Sequence, residues 1–439
     1  MPSDSKRPFF TRSILLWISI GFPVAVLVTL GCMWYAGQSS LKSQLAALRA
    51  KGLPTAAGEV NDFYVVPEGV ASTTDLWVAA IDAVQSADLR QREKTLPIVG
   101  DGPRPIPAPG EAWAELEASR TLLGELHGEL QSIRQAAEAG GQIRFPVNFS
   151  AGISVLLPYT NNSRDVARLL ELDAHVSAHD GNGSQALQDL RAIFALFDAL
   201  RGEPTLISQL IRMAIHEIGC VAVERLMPHC NWSDAELESL QTAIRSARFK
   251  DELSNRLCGE RAICLIELDR IPLGPFRPSN KQEALRFFEN SIEGLSSSWP
   301  DALSRQRELS TRMKTLADSR FTGLRLTFVL LIFPASEQAA IASARAEARQ
   351  KCAIAAQRFR LQRGRLPDSL ANIGQGLLGS FSEPSAKLID PFDGQPLRYK
   401  TEETRVVIYS IGENELDDGG DCDRDDQQRP LDVKFSVKK

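Results

Sequence analysis

Residues 163–200 read SRDVARLLELDAHVSAHDGNGSQALQDLRAIFALFDAL. Two helical runs flank Gly181-Asn182-Gly183, a cluster that breaks a helix and turns the chain. In the second run Leu187, Leu190, Phe194 and Phe197 fall on one stripe, the mark of a helix with one buried side. A helical hairpin is expected here, and the same reading carried outward sets the fold class as mainly α.

Downstream, PTLISQLIRMAIHEIGCVAVERLM (204–227) reads as a more apolar helix opened by Pro204 and followed by Pro228. SDAELESLQTAIRS begins with a capping-box pattern, Ser233 to Glu236. Upstream, Asp75 is a candidate N-cap for a helix through LWVAAIDAVQSA. A further helix through EAWAELEASRTLLGELHGELQSIRQAAEAG stops at Gly140-Gly141. Between them, 95–110 carries prolines at 97, 103, 105, 107 and 109, and reads as an extended linker or a loop wrapped over a helical body. The 163–200 pair resembles a tetratricopeptide-type helix-turn-helix. No regular period repeats three times, which a solenoid requires, so the body is expected to be an irregular, hairpin-repeat-like α-helical domain.

A net charge of -5 and an aromatic content of 7% argue against a nucleic-acid binder, which would show a basic surface and stacking aromatics. The seven cysteines follow no framework spacing. Cys220 with Cys230 and Cys258 with Cys264 are within pairing reach in sequence; buried free thiols are the alternative.

Residues 14–37, ILLWISIGFPVAVLVTLGCMWYAG, contain no charge and are long enough to span a bilayer. Lys6, Arg7 and Arg12 precede the span, which by the positive-inside rule leaves residues 1–13 in the cytoplasm and the rest of the chain outside it. A cleaved signal peptide fits less well, because WYAGQSS is a poor cleavage site. TLGC at 29–32 only faintly resembles a lipoprotein box. Trp34 and Tyr35 fit as interface anchors of an uncleaved signal anchor. LRLTFVLLIF (324–333) is too short to span and contains Arg325, so it is read as a buried core helix.

Motifs that carry chemistry are few. HEIGC (216–220) begins like a zinc-protease motif, but Cys220 stands where the second histidine is needed, so His216 is read as part of a packed helix. HVSAH places His175 and His179 one helical turn apart near Asp173 and Asp180. A metal site is imaginable there, but a solvated helix end is the expected state. No nucleophile elbow, phosphate-binding glycine loop or dinucleotide fingerprint occurs, and no catalytic residue is assigned.

At the other end, a helix through SEQAAIASARAEARQKCAIAAQRFRLQRG has a side of small residues (Ala340, Ala344, Ala348, Ala355) and ends at Gly364. Val406–Tyr409 reads as a strand, with Leu397–Lys400 as its partner and 401–404 turning between them. Glu413–Asp426 holds six aspartates and two glutamates. Left unneutralised they repel at close range, and calcium prefers hard oxygen ligands from flexible loops of this kind. Asp417, Asp421, Asp423 and Asp425 are the expected metal ligands, with Asp418 or Asp426 as substitutes; a solvated acidic loop is the alternative. Asp421, Asp423, Asp425 and Asp432 mimic EF-hand spacing, but Asp426 occupies the position that needs glycine.

The order helix, GRLPDSL, DPFDGQPLRY, YSIG and acidic glycine loop resembles the globular part of the major pseudopilin of type II secretion, over roughly residues 337–426. That resemblance implies a calcium-binding loop that pins the last strands. The whole chain also resembles a group of uncharacterised bacterial single-pass membrane-anchored proteins. Unlike a pilin, this chain separates its anchor from the C-terminal helix by some 300 residues and has no prepilin cleavage motif.

The expected architecture is thus a cytoplasmic stub (1–13), a transmembrane signal anchor (14–37), an α-helical ectodomain (38–336) and a pseudopilin-like α+β unit with antiparallel strands (337–439). The functional reading is a membrane-anchored extracytoplasmic protein, structural or for protein interaction, with Ca2+ as its cofactor and no nucleic-acid partner. The alternative is an envelope hydrolase with a site between the helical body and the C-terminal unit.

Overall fold

The computed structural model describes residues 9–87, 94–102, 106–244, 248–272, 274–318, 329–352, 355–373, 388–423 and 432–438. Asp425 and Asp426, and residues 324–328 of the apolar stretch 324–333, lie outside the described residues. In chain order the helices are α1 (Phe9–Ala50), α2 (Ala57–Phe63), α3 (Thr74–Ser86), α4 (Leu116–Glu125), α5 (His127–Ala139), α6 (Pro158–His179) and α7 (Gly183–Ala199). They continue as α8 (Leu206–Leu226), α9 (Asp234–Ile244), α10 (Phe249–Arg270), α11 (Arg277–Gly294), α12 (Trp299–Asp318), α13 (Val329–Cys352) and α14 (Ala355–Arg363). Three strands follow: β1 (Arg398–Thr401), β2 (Arg405–Ser410) and β3 (Val433–Lys438). The protein is mainly helical with one small antiparallel sheet, as the sequence predicts.

The α6–α7 hairpin sits at the centre. α6 touches α3, α4, α7 and α8, so it is buried on nearly every side, including Glu171, Asp173, His175 and Ser177. This differs from the expectation of a solvated helix end at HVSAH. The proline-bearing segment folds over that end, where His179 Nε2 lies 3.1 Å from the Pro107 carbonyl and the Trp113 ring packs at a tilt against the imidazole, centroids 5.0 Å apart. Leu96, Ile98, Val99 and Ile106 are buried, so the segment is a strap on the helical body rather than a free linker. The capping box forms as expected: Glu236 accepts from the Ser233 amide at 2.8 Å, and the Ser233 hydroxyl accepts from the Glu236 amide. α3 starts one residue before Asp75, with Thr73 as its cap position and no side-chain cap bond.

The core also holds charge. Arg212 on α8 donates to the Phe197 carbonyl at 2.9 Å and to Glu252 at 2.8 Å. Arg256 on α10 donates to the carbonyls of Leu200 and Arg201, satisfying backbone left over at the end of α7. Gly259 allows this approach, since a Cβ there would stand 2.1 Å from the Pro204 carbonyl oxygen. Glu203 is fully buried. One of its carboxyl oxygens accepts from the Thr160 hydroxyl at 2.6 Å and the other has no partner. Desolvation pushes its carboxyl up to about 7. A raised folded value means that the folded state keeps its proton where the unfolded chain has lost it. The stability this contributes is present below pH 4.5 and fades as the pH rises through 7. The urea midpoint is expected to fall between pH 5 and pH 8 more steeply in the native protein than in Glu203→Gln.

His216 lies among Phe194, Phe197 and Phe249, as a packed-helix histidine should. No disulfide joins Cys220 to Cys230 or Cys258 to Cys264, so neither of the two pairings open from the sequence is made.

α1 has two different halves. Phe22, Leu27, Val28 and Tyr35 are exposed, whereas Leu41 and Leu48 are buried against Leu265 of α10 and Leu285 of α11. Gln282 of α11 donates to the Gly37 carbonyl at 3.1 Å, where the docked half begins. By length and composition α1 is apolar enough to cross a membrane. α8 passes the same test but is mostly buried, and is a core helix.

The sheet has the order β1-β2-β3, with both pairs antiparallel. Arg398 faces Tyr409 in the first register and Ile408 faces Phe435 in the second. α13 lies against β2 and β3, and its small residues Ala340, Ala344 and Ala348 are fully buried. α8 and α12 flank α13, so one hydrophobic core runs from Val60 to Val437.

Candidate functional site

Two features merit a functional reading: the acidic loop after β2, and a cleft where β3 meets the helical body.

The loop is organised by its own carboxylates. Asp417 accepts from the Tyr409 hydroxyl and the Gly419 amide, both at 3.0 Å. Asp418 accepts from Asn414 at 2.7 Å. Asp421 accepts from the Asp423 amide at 3.0 Å, which closes a tight turn. Gly420 has a φ of +85°, and a Cβ there would stand 3.2 Å from Val407, so glycine is needed where the loop presses on the sheet.

Of the expected metal ligands, Asp417, Asp421 and Asp423 lie in this loop, and all three are exposed. The carboxylate turned inward is Asp432, which the sequence offers only as the last position of a rejected EF-hand pattern. Its amide donates to the Asp421 carbonyl at 2.7 Å, and one carboxyl oxygen accepts from the Gly420 amide at 2.6 Å. The other carboxyl oxygen is buried with no partner. Desolvation, with Asp418 and Asp417 nearby, pushes this carboxyl up to about 6. An orphaned carboxylate oxygen beside two further carboxylates suits a hard cation. Among the described residues, no group of three or more histidine, cysteine, aspartate or glutamate side chains already has a metal-ready arrangement.

The cleft has a volume of about 440 Å³. Its lining holds the apolar side chains of Ile106, Pro107, Pro109, Val221 and Pro228 together with the cations Arg225, Arg349, Arg405, Lys434 and Lys438, with Glu224 as the one carboxylate. Glu224 accepts from the Ser436 amide at 3.0 Å, which ties α8 to β3. His175 also lines the cleft, and neither of its ring nitrogens has a partner. Burial and the Arg225 charge drive this imidazole down to about 3, so it is neutral. Sequence spacing could not have revealed this site, because seven separate segments converge on it.

Comparison with protein-family models, with curated proteins and with solved structures finds no match to the chain.

Proposed function

We propose that the protein is a single-pass, membrane-tethered extracytoplasmic protein. It works by contact with another macromolecule rather than by catalysis, and its pseudopilin-like end unit is fixed by calcium. The observation that carries the reading is α1: its exposed apolar half runs without a break into a half docked on α10 and α11. Exposed apolar side chains over several turns need an apolar surrounding, and a rigid continuation holds the body at a set distance from it. The positive residues before the span orient the body outside the cytoplasm. In the end unit, the partnerless oxygen of Asp432 supports calcium, with half-buried Asp418 beside it and Asp417, Asp421 and Asp423 at the exposed rim. Bound there, calcium neutralises the loop and joins it to the start of β3.

The test of the tether is fractionation of the full chain against a chain lacking residues 1–37. The full chain is expected to stay in membranes through an alkaline carbonate wash, and its body to be cut by protease added outside the cytoplasmic membrane. Release by the wash, or protection of the body from that protease, would defeat the reading. The cleft favours a second reading, an envelope hydrolase. Against it, Glu224 is engaged by Ser436 and Arg349, and His175 has no carboxylate partner to activate it.

A further inference from the structure

We propose that the cleft between α8 and β3 binds a phosphomonoester on a small organic body. The inference goes beyond the tether and holds whether or not α1 crosses a membrane.

The argument starts from charge balance. Arg349 is matched by Glu217 at 2.8 Å and Glu224 at 3.6 Å. Arg405 is matched by Glu402 at 2.6 Å. Lys438 Nζ stands 3.2 Å from His229 Nε2, an acceptor that stays neutral when the lysine donates to it. Arg225, Lys434 and Lys438 therefore have no carboxylate partner among the described residues, although the whole chain is acidic. Concentrating unmatched cations in one concavity raises the local potential and costs stability unless an anion enters.

The shape narrows the class of anion. The cations that line the space, Arg225 and Lys434 with Lys438 held beside His229, suit an anion carrying about two charges, which a phosphate monoester does near neutral pH. A guanidinium and ammonium groups are also its usual partners. A dicarboxylate would spread the same charge over a longer span. The volume of about 440 Å³ exceeds what a phosphate group fills, and the prolines, Ile106 and Val221 of the lining offer apolar surface to an organic body. Cys422 and His175 lie beside this space without taking part in the charge balance.

The experiment is calorimetric titration of the full chain in detergent micelles with phenyl phosphate, inorganic phosphate and succinate. Phenyl phosphate is expected to bind saturably and more tightly than inorganic phosphate. The Arg225→Ala, Lys434→Ala double variant is expected to weaken binding by about tenfold or more, with a melt in the absence of ligand no lower than that of the native protein. Because that variant removes like charges from the rim rather than core contacts, a lowered melt would itself count against the charge argument. The proposal is overturned if neither phosphate binds saturably, or if the double variant binds as well as the native protein. It is also overturned if succinate matches phenyl phosphate, or if inorganic phosphate binds more tightly than the ester.

Discussion

Asp390→Ala is expected to destabilise the sheet end of the protein by about 3–5 kcal/mol, with loss of amide-exchange protection in β1 and β2. Asp390 is fully buried and opens the DPFDG turn. Its carboxylate accepts from the Phe392 amide at 2.9 Å, the Ser410 hydroxyl at 2.7 Å, the Ile411 amide at 2.9 Å and Arg398 at 2.7 Å. One side chain thus gathers a turn, the end of β2 and the start of β1. Alanine removes the acceptor and leaves two buried amides and a hydroxyl unsatisfied, each costing about 1–3 kcal/mol. Arg398 keeps its bond to Asp393, which limits the damage on that side. Asn at the same position retains one acceptor oxygen and should fall between the two. Exchange measured by mass spectrometry checks this: protection lost across 398–410, with α6 and α7 unchanged, is the expected pattern. Uniform native protection would show that the turn does not depend on Asp390.

Arg134→Ala is expected to cost a similar amount, about 3–5 kcal/mol, in the helical body. Arg134 of α5 is buried and donates to Asp189 of α7 at 2.9 and 2.8 Å and to Asp173 of α6. Burial holds both carboxyls above their usual range, and the neighbouring Asp173 charge pushes Asp189 further still. Without the guanidinium the two carboxylates face each other in the core with no cation. The sign of the pH effect follows: carboxyls with raised folded values are penalised least at low pH, and more as the pH climbs above their ordinary range. The deficit of the variant should therefore shrink at pH 5 relative to pH 8, read as urea midpoints. Asp173→Asn with Asp189→Asn in the Arg134→Met background should recover most of the loss. Arg312→Ala, which breaks only an exposed pair with Glu283, should stay within about 0.5 kcal/mol of native.

Much of this fold was legible because its signals are local. The Gly181–Gly183 break, the Ser233–Glu236 box and the stop at Gly140 each set a helix boundary within a few residues. The same holds for β2, where four consecutive β-formers precede a turn signal. Strand β3 is short and follows a long acidic loop with no hairpin turn joining it to β2, so its inward alternation of Val433, Phe435 and Val437 is a weak local signal. Burial of His175, Arg212 and Arg256 depends on which helices surround α6, α8 and α10, and no periodicity within one helix states that. For the same reason the acidic loop was visible as composition, while its inward carboxylate, Asp432, became apparent only once β3 placed it beneath Gly420. The cationic cleft joins residues more than three hundred positions apart and had no sequence signal at all.

The most direct measurement is the thermal melt of the full chain in detergent with millimolar calcium, with magnesium and with chelator. A ligand at a hundred times its dissociation constant adds about 2.7 kcal/mol of stability. The account predicts a rise of several degrees with calcium alone, abolished in Asp417→Ala with Asp432→Ala. The same melting temperature in calcium, magnesium and chelator would contradict it and leave the aspartates as solvated charge.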